Sequence, residues 1–222
     1  MEQRSPEWFA ARLGRVTASR VADVVARTKT GWGASRANYM AELLVERLTG
    51  EQAPAYTNSA MQWGTDCEPH ARAGYEFRLD VTVEEIGFVD HPTIAMAGAS
   101  PDGLVGEDGL VEIKCPNTST HIDTLLTGKI PDRYVTQMQW QMACTGRQWC
   151  DFVSFDPRLP ENMRLFVKRA ERDTKAIASL ESDVAEFLGD LDQKLAALSA
   201  KYSGGGNVVR AQFEKSLNLM AG

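Results

Sequence analysis

The stretch GASPDGLVGEDGLVEIKCP, residues 98–116, decides the fold of this 222-residue chain and carries its most informative chemistry. Two short runs flank the turn signal GEDG at 106–109, so the second run is predicted to fold back beside the first. Side chains alternate along a strand, which places Glu112 and Lys114 on one face and the apolar residues between and beside them on the other. We therefore expect Asp102, Glu112 and Lys114 to converge.

The register of this hairpin decides whether Asp102 and Glu112 share a face. A regular four-residue turn at 106–109 would place Gly103 opposite Glu112, whereas a loop of three or five residues places Asp102 there. Sharing a metal ion requires the second arrangement. We therefore predict an odd loop or a bulge, with one of the turn's two glycines in the left-handed region.

Two carboxylates and a lysine suit metal-dependent phosphodiester hydrolysis. Carboxylate oxygens bind hard cations such as Mg²⁺. The metal lowers the pKa of its bound water and offsets charge on the phosphate, and a nearby lysine can orient or deprotonate the nucleophile. Acids and lysines are also common on solvated strand faces, so the spacing D-x9-E-x-K is compatible with that alternative when it is taken alone.

The rest of the chain predicts helices around one central mixed sheet, an α/β (α+β) architecture. A single domain is expected over residues 1–202, with 203–222 as a glycine-rich linker and a short tail of unknown role. The segment 28–35 is predicted to be a flexible loop. The stripe of leucines in the long helix expected at 171–202 is predicted to pack on the protein's own sheet rather than on a partner.

Composition excludes several classes of protein. The net charge of −6 argues against a bulk cationic surface for nucleic acid, although basic residues can still be confined to one groove. No apolar run is long enough to span a membrane, and the N-terminus lacks the apolar core of a signal peptide. The four cysteines are unclustered, so we expect buried thiols in a reducing cytoplasm rather than a zinc site.

Four ordered blocks of sequence resemble a known family. They are WFAARLGRVTAS at 8–19, WGTDCE at 63–68, SPD at 100–102 with EIKCP at 112–116, and QMQW at 137–140. In this order they resemble the lambda exonuclease and YqaJ-like viral recombinase family, which has the PD-(D/E)xK restriction-endonuclease-like core. Four blocks in one order are more specific than any of them alone.

The resemblance implies a Mg²⁺-dependent exonuclease, with Mn²⁺ as an alternative metal. Such an enzyme would degrade one strand of linear double-stranded DNA from its 5′-phosphate end, releasing 5′-mononucleotides and leaving a 3′ overhang. It further implies a ring-shaped homotrimer that works beside a single-strand annealing protein in phage-type recombination. A cytoplasmic location in a bacterial host, with a phage or prophage origin, follows from the same resemblance.

The same resemblance assigns roles around the acidic pair. Asp102 and Glu112 match the metal ligands, and the backbone carbonyl of Ile113 is placed to be another. Lys114 matches the catalytic lysine. Glu68 matches a residue that supports a second metal or its water, although a plain helix-terminal charge is the alternative for this glutamate.

Further matches concern the DNA strand. Gln137 would hydrogen-bond near the scissile strand, Arg12 and Ser19 match the positions that hold the terminal 5′-phosphate, and Met61 is the candidate wedge that separates the strands. Solvated side chains are the alternatives for Gln137 and Arg12, and an ordinary core methionine for Met61. The aromatic pair at 8–9 is predicted to lie in the core.

Two other functions are compatible with the sequence. A restriction- or repair-type endonuclease could use the same metal site, but would not need the block with Arg12 and Ser19. A catalytically idle DNA-binding or scaffold protein on a nuclease fold is the second, and the intact Asp102, Glu112 and Lys114 argue against it.

Overall fold

The computed structural model describes residues 1–52 and 59–202. The helices are α1 (Pro6–Arg12), α2 (Val21–Val24), α3 (Ala34–Thr49), α4 (Ser59–Leu79), α5 (Thr118–Thr127), α6 (Asp132–Thr145) and α7 (Thr174–Tyr202). The strands are β1 (Val16–Thr17), β2 (Arg27–Thr28), β3 (Gly31–Trp32), β4 (Val83–Glu84), β5 (Val89–Asp90), β6 (Ala97–Ala99), β7 (Gly103–Val105), β8 (Gly109–Lys114), β9 (Trp149–Phe155) and β10 (Leu165–Glu171).

A five-stranded mixed sheet forms the centre of the molecule. Its strand order is β10-β9-β8-β7-β4, with β8 and β9 parallel and the other neighbours antiparallel. A three-stranded sheet of order β1-β6-β5 lies apart from it in the hydrogen-bonding pattern. The predicted architecture of helices around a central mixed sheet is confirmed.

The hairpin between β7 and β8 has the predicted odd loop. Gly103 pairs with Val111 and Val105 with Gly109, so the loop consists of the three residues 106–108. Gly106 has a φ of +55°, in the left-handed region that favours glycine. Continuing this register by one residue places Asp102 opposite Glu112, as a shared site requires.

Helices cover both faces of the central sheet. On one face, Ala71 and Tyr75 of α4 pack with Val111 and Val153, in a cluster that also contains Ile113. On the other, Met138 and Met142 of α6 pack with Leu110 and Phe152. The alternation along β8 therefore sends Glu112 and Lys114 toward α6, as the strand pattern predicts.

The long helix α7 packs differently from the expectation. Its buried residues Val184, Phe187 and Leu191 join a cluster with α2, α3 and the three-stranded sheet, whereas Ile177, near its start, joins a cluster that contains residues of the central sheet. Packing on the protein's own core is thus confirmed, but packing on the central sheet is wrong for most of the helix. The reason is that α6 already occupies this face of the sheet, so α7 has to pack on the helices.

The segment 28–35 is not a simple loop. Residues of β2 and β3 pair as a short antiparallel hairpin, followed directly by α3. The ring of Trp32 is half-buried, with the guanidinium carbons of Arg27 and Arg36 each 3.8 Å from its centroid. Arg27 and Arg36 also form ion pairs with Asp183 and Glu186 of α7, so tertiary contacts order what looks locally like a loop.

The four cysteines are free thiols, and all but Cys115 are buried, as expected. Among the helices of residues 1–52 and 59–202, none combines the length and the apolar character needed to cross a membrane. The predicted linker and tail, 203–222, lie outside the described residues.

Candidate active site

A cleft of about 650 Å³ opens at the carboxyl end of β8. Asp102, Ile113 and Lys114 line it from the hairpin, and Met61 and Glu68 line it from α4. A second cleft of about 480 Å³ shares part of this wall, and its lining includes Ser19, Gln137 and Lys114. The chain therefore brings most of the predicted site residues to two neighbouring clefts.

Asp102 is fixed by the backbone of the strand opposite it. Its Oδ2 accepts a hydrogen bond from the Ile113 N–H at 2.6 Å. Burial raises the pKa of this carboxyl well above its usual range, and the neighbouring carboxylate of Glu112 raises it further, against the opposing effect of Lys114. A carboxylate in such surroundings gains from a nearby cation.

Glu112 is completely buried and held by three donors. Its two carboxylate oxygens accept hydrogen bonds from the side-chain amides of Gln137, at 2.6 Å, and Gln141, and it forms an ion pair with Lys114. The two glutamines stand four residues apart on α6, one turn of helix, which is the sequence signal for a shared target. Gln141 received no role from the sequence, and this contact supplies one.

Lys114 lies between the two carboxylates and the cleft. Burial alone would lower the pKa of its ammonium group, but the carboxylates of Glu112 and Asp102 raise the pKa above its ordinary value. Its Nζ is also 5.5 Å from the centroid of the Tyr134 ring. In this arrangement Lys114 is a positively charged group, able to donate hydrogen bonds into the cleft.

The donor set at this place fits a hard divalent cation. The carboxylates of Asp102 and Glu112 and the carbonyl of Ile113 offer only oxygen ligands, the kind that Mg²⁺ prefers. Within residues 1–52 and 59–202, no three His, Cys, Asp or Glu side chains are grouped closely enough to form a metal cluster. A metal here would therefore be coordinated by two carboxylates, one carbonyl and water. Mg²⁺ usually keeps several water ligands in proteins, so this set suits it.

Glu68 is neutralised by two arginines. Arg4 donates to its Oε2 at 2.8 Å, and Arg72, one helical turn along α4, donates to its Oε1 at 2.9 Å. The glutamate lies in the first cleft with Asp102. The structure thus brings Glu68 to the expected place, paired with cations rather than standing alone.

Arg12 contacts Ser100, just before the hairpin, and lines neither of the two clefts. Its Nη1 donates to the hydroxyl of Ser100 at 3.2 Å, and its guanidinium lies 4.1 Å from the Trp8 ring centroid. Burial lowers the pKa of this guanidinium, although it stays far above neutrality. Within the described chain no hydrogen bond joins Arg12 to Ser19, whose hydroxyl is 3.3 Å from that of Thr17.

The aromatic pair at 8–9 is not a core element. None of the residues of α1 is buried, and the side chain of Phe9 is well exposed. Trp8 donates from Nε1 to the same Ser100 hydroxyl, at 2.9 Å, that accepts from Arg12. The prediction of core packing was wrong because α1, with seven residues, lies at the surface and buries none of them, and Ser100 is a contact that the sequence did not indicate.

The hairpin, the sheet order and the acid–lysine cleft define the PD-(D/E)xK class of nuclease folds. Residues 7–148 match the family model of the YqaJ-like viral recombinase domain. This chain belongs to that family.

Two exonucleases of known structure and one viral protein are similar to this chain. An alkaline exonuclease from Laribacter hongkongensis (LHK-Exo) has 58% sequence identity and a TM-score of 0.85, with 90% of this chain and 99% of that chain covered. A phage-related exonuclease from Haemophilus somnus 129PT shares the fold, with a TM-score of 0.67, 16% identity, and coverage of 83% and 96%.

The third is an uncharacterized mimivirus protein, R354 of Acanthamoeba polyphaga mimivirus. It is 28% identical over 169 residues, which are 68% of this chain. The matched region spans only 29% of the mimivirus protein's length. LHK-Exo is also solved in complex with dAMP.

Proposed function

We propose that this protein, an enzyme of the exonuclease class, degrades one strand of linear double-stranded DNA in the 5′-to-3′ direction. The products would be 5′-mononucleotides and a duplex with a 3′ single-stranded overhang. The observation that carries the proposal is that Asp102 and Lys114 line one cleft, with the buried carboxylate of Glu112 paired to Lys114 behind its wall. The 58% identity to an alkaline exonuclease, and that protein's complex with dAMP, support a nucleotide product.

The metal-binding residues in this proposal are Asp102, Glu112 and the carbonyl of Ile113. Nucleases of this family generally depend on a divalent metal, and the oxygen ligands favour Mg²⁺, with Mn²⁺ as the alternative. When bound, the metal would supply charge neutralisation and a more acidic water. Lys114 donates to the scissile phosphate or to the attacking water, and Gln137 holds Glu112 in position from the second cleft.

Residues around the clefts would bind the 5′ end of the DNA strand. Arg12 and Ser19 would hold the terminal 5′-phosphate, with a guanidinium and a hydroxyl as donors. Arg12 would reach it from beside Ser100. Met61, whose side chain is about half exposed in the first cleft, is the proposed wedge, and Glu68 would support a second metal or its water.

The assembly and its setting are part of the same proposal. We expect a homotrimeric ring, a single-strand annealing protein as partner, and a place in phage-type recombination in the cytoplasm of a bacterial host. Residues 1–202 would form the nuclease domain. Mass measurement in solution, with and without residues 203–222, tests the trimer and the dispensability of the tail.

The decisive experiment compares linear and circular duplex DNA. Wild type should release labelled mononucleotides from the 5′ ends of a linear duplex with Mg²⁺, and none in EDTA. Supercoiled circles should stay intact, because they have no ends. A matched pair of variants compares a lysine of the cleft with a lysine of the surface. Lys114→Ala should be inactive, and Lys168→Ala should be fully active. Nicking of the circles would instead support the endonuclease alternative, and release from 3′ ends would overturn the polarity.

A further inference from the structure

Arg133 lies at the mouth of the site, where the described residues offer it no acidic partner. It lies in the first turn of α6, is exposed, and lines both clefts together with Lys114 and Tyr134. Its guanidinium donates to the Tyr134 hydroxyl at 2.6 Å and lies 4.5 Å from the centroid of that ring. Among the ion pairs of residues 1–52 and 59–202, none includes Arg133.

The contacts of Arg133 do not indicate a structural role. The partner it contacts is its neighbour in the sequence, so the side chain ties no two elements together. The contact with Tyr134 holds the guanidinium against the ring. The remaining N–H donors of Arg133 are then available to a ligand. In a chain of net charge −6, an unneutralised arginine beside an acidic cleft is suited to an anion.

Arg4 reaches the first cleft from the N-terminal segment. Its φ of +68° is rare for a residue with a side chain, and conformations of this kind cluster at functional sites. Gln3 anchors the segment, since its amide donates to the carbonyls of Ile86 and Pro101 at 2.8 and 2.7 Å. The anchor directs Arg4 to the wall that carries Glu68.

The ion pair of Arg4 is replaceable. Glu68 has a second arginine, Arg72, on its other oxygen, and Arg72 is the more buried of the two cations. If Arg4 moved to another anion, Glu68 would therefore keep a partner. Half of the Arg4 side chain is exposed, so its guanidinium is accessible from the cleft.

We infer that Arg4 and Arg133 bind backbone phosphates of the DNA strand, one from each wall of the first cleft. This inference rests on the proposed function and adds two binding residues to it. Arg4 exchanges Glu68 for a phosphate, and Arg133 offers its free donors while it stays against Tyr134. Such contacts carry no sequence information and position the strand, with Lys114 between them at the scissile bond.

The test measures kcat and KM on linear duplex DNA as a function of salt concentration. The variants are Arg4→Gln, Arg133→Gln and both lysine replacements, with Lys194→Gln, an exposed cation of α7 that lines neither cleft, as the control. Each glutamine variant should raise KM about tenfold and leave kcat within about twofold. Each should also make log(kcat/KM) less steep against log[salt] by about 0.7 to 0.9, the share of one phosphate contact.

The lysine variants distinguish a loss of positive charge from a loss of structural contacts. Lysine keeps the charge, so it should restore the salt dependence and most of KM. A loss of kcat or of melting temperature with an unchanged salt slope would mean a structural role and would overturn the inference, and so would glutamine variants with wild-type KM. Failure of wild type to degrade DNA with Mg²⁺ would instead overturn the proposed function.

Discussion

Replacing Gln141 by methionine removes one of the three donors to a fully buried carboxylate. Gln141 is itself fully buried, and its amide donates to Glu112. Methionine fills nearly the same volume, so the change deletes a hydrogen bond without opening a large cavity. A hydrogen bond to a charged group contributes about 1.5–3 kcal/mol, and we expect a loss of about 2 kcal/mol in the free energy of unfolding. For a chain of this size the melting temperature should fall by about 4–8 °C.

The same change should weaken metal-dependent activity. Glu112 would keep Gln137 and Lys114, but its carboxylate would lose one of the contacts that orient it. Outer contacts of this kind typically change metal affinity or activity by about 10–100-fold, and the shift should appear as a higher Mg²⁺ concentration for half-maximal rate.

A control on the same helix distinguishes the two effects. Gln139 is also buried, but its amide bonds the Glu171 carbonyl and the Asp173 N–H, both away from Glu112. Gln139→Met should therefore lower the melting temperature and leave the Mg²⁺ requirement of the folded enzyme unchanged. Urea unfolding and Mg²⁺ titration of the nuclease rate measure both quantities. If Gln141→Met kept the wild-type Mg²⁺ requirement and rate, the reasoning about Glu112 would be refuted.

Four other changes test separate parts of the molecule. Lys114→Ala should abolish cleavage and leave DNA-end binding largely intact, which a binding assay beside the nuclease assay checks; substantial turnover would move the catalytic role elsewhere. Arg12→Ala should erase a preference for 5′-phosphorylated over 5′-hydroxyl ends of about ten- to hundredfold in rate, with only partial rescue by lysine, and equal rates of wild type on both ends would count against the pocket. Met61→Ala should slow digestion of duplex more than of single strands, and a normal duplex rate would place the wedge elsewhere. Burial alone would raise the pKa of Asp156, but hydrogen bonds from Arg158 and Thr118 lower it to about 2, so its contribution to stability is present above the unfolded pKa of about 4 and is lost as the pH falls toward 2. Asp156→Asn should flatten the fall in melting temperature over that range, and an unchanged acid profile would contradict this.

The sequence by itself determined the parts of the site that depend on local periodicity. The period of two along a strand placed Glu112 and Lys114 on one face, and the structure has them in contact. Sharing a face with Asp102 needed an odd loop, and the loop has three residues.

Only the tertiary structure decided which distant segments meet. The position of α7 depended on α6 already covering the central sheet, and the hairpin at 27–32 depended on ion pairs that Arg27 and Arg36 form with α7. Arg4 reached Glu68 across 64 residues of chain, and Trp8 and Arg12 met at Ser100 across about 90. A pattern of residues specifies which way a side chain faces on its own element. The partner it then meets depends on how whole elements pack, because that arrangement follows from the burial of apolar surface over the entire chain.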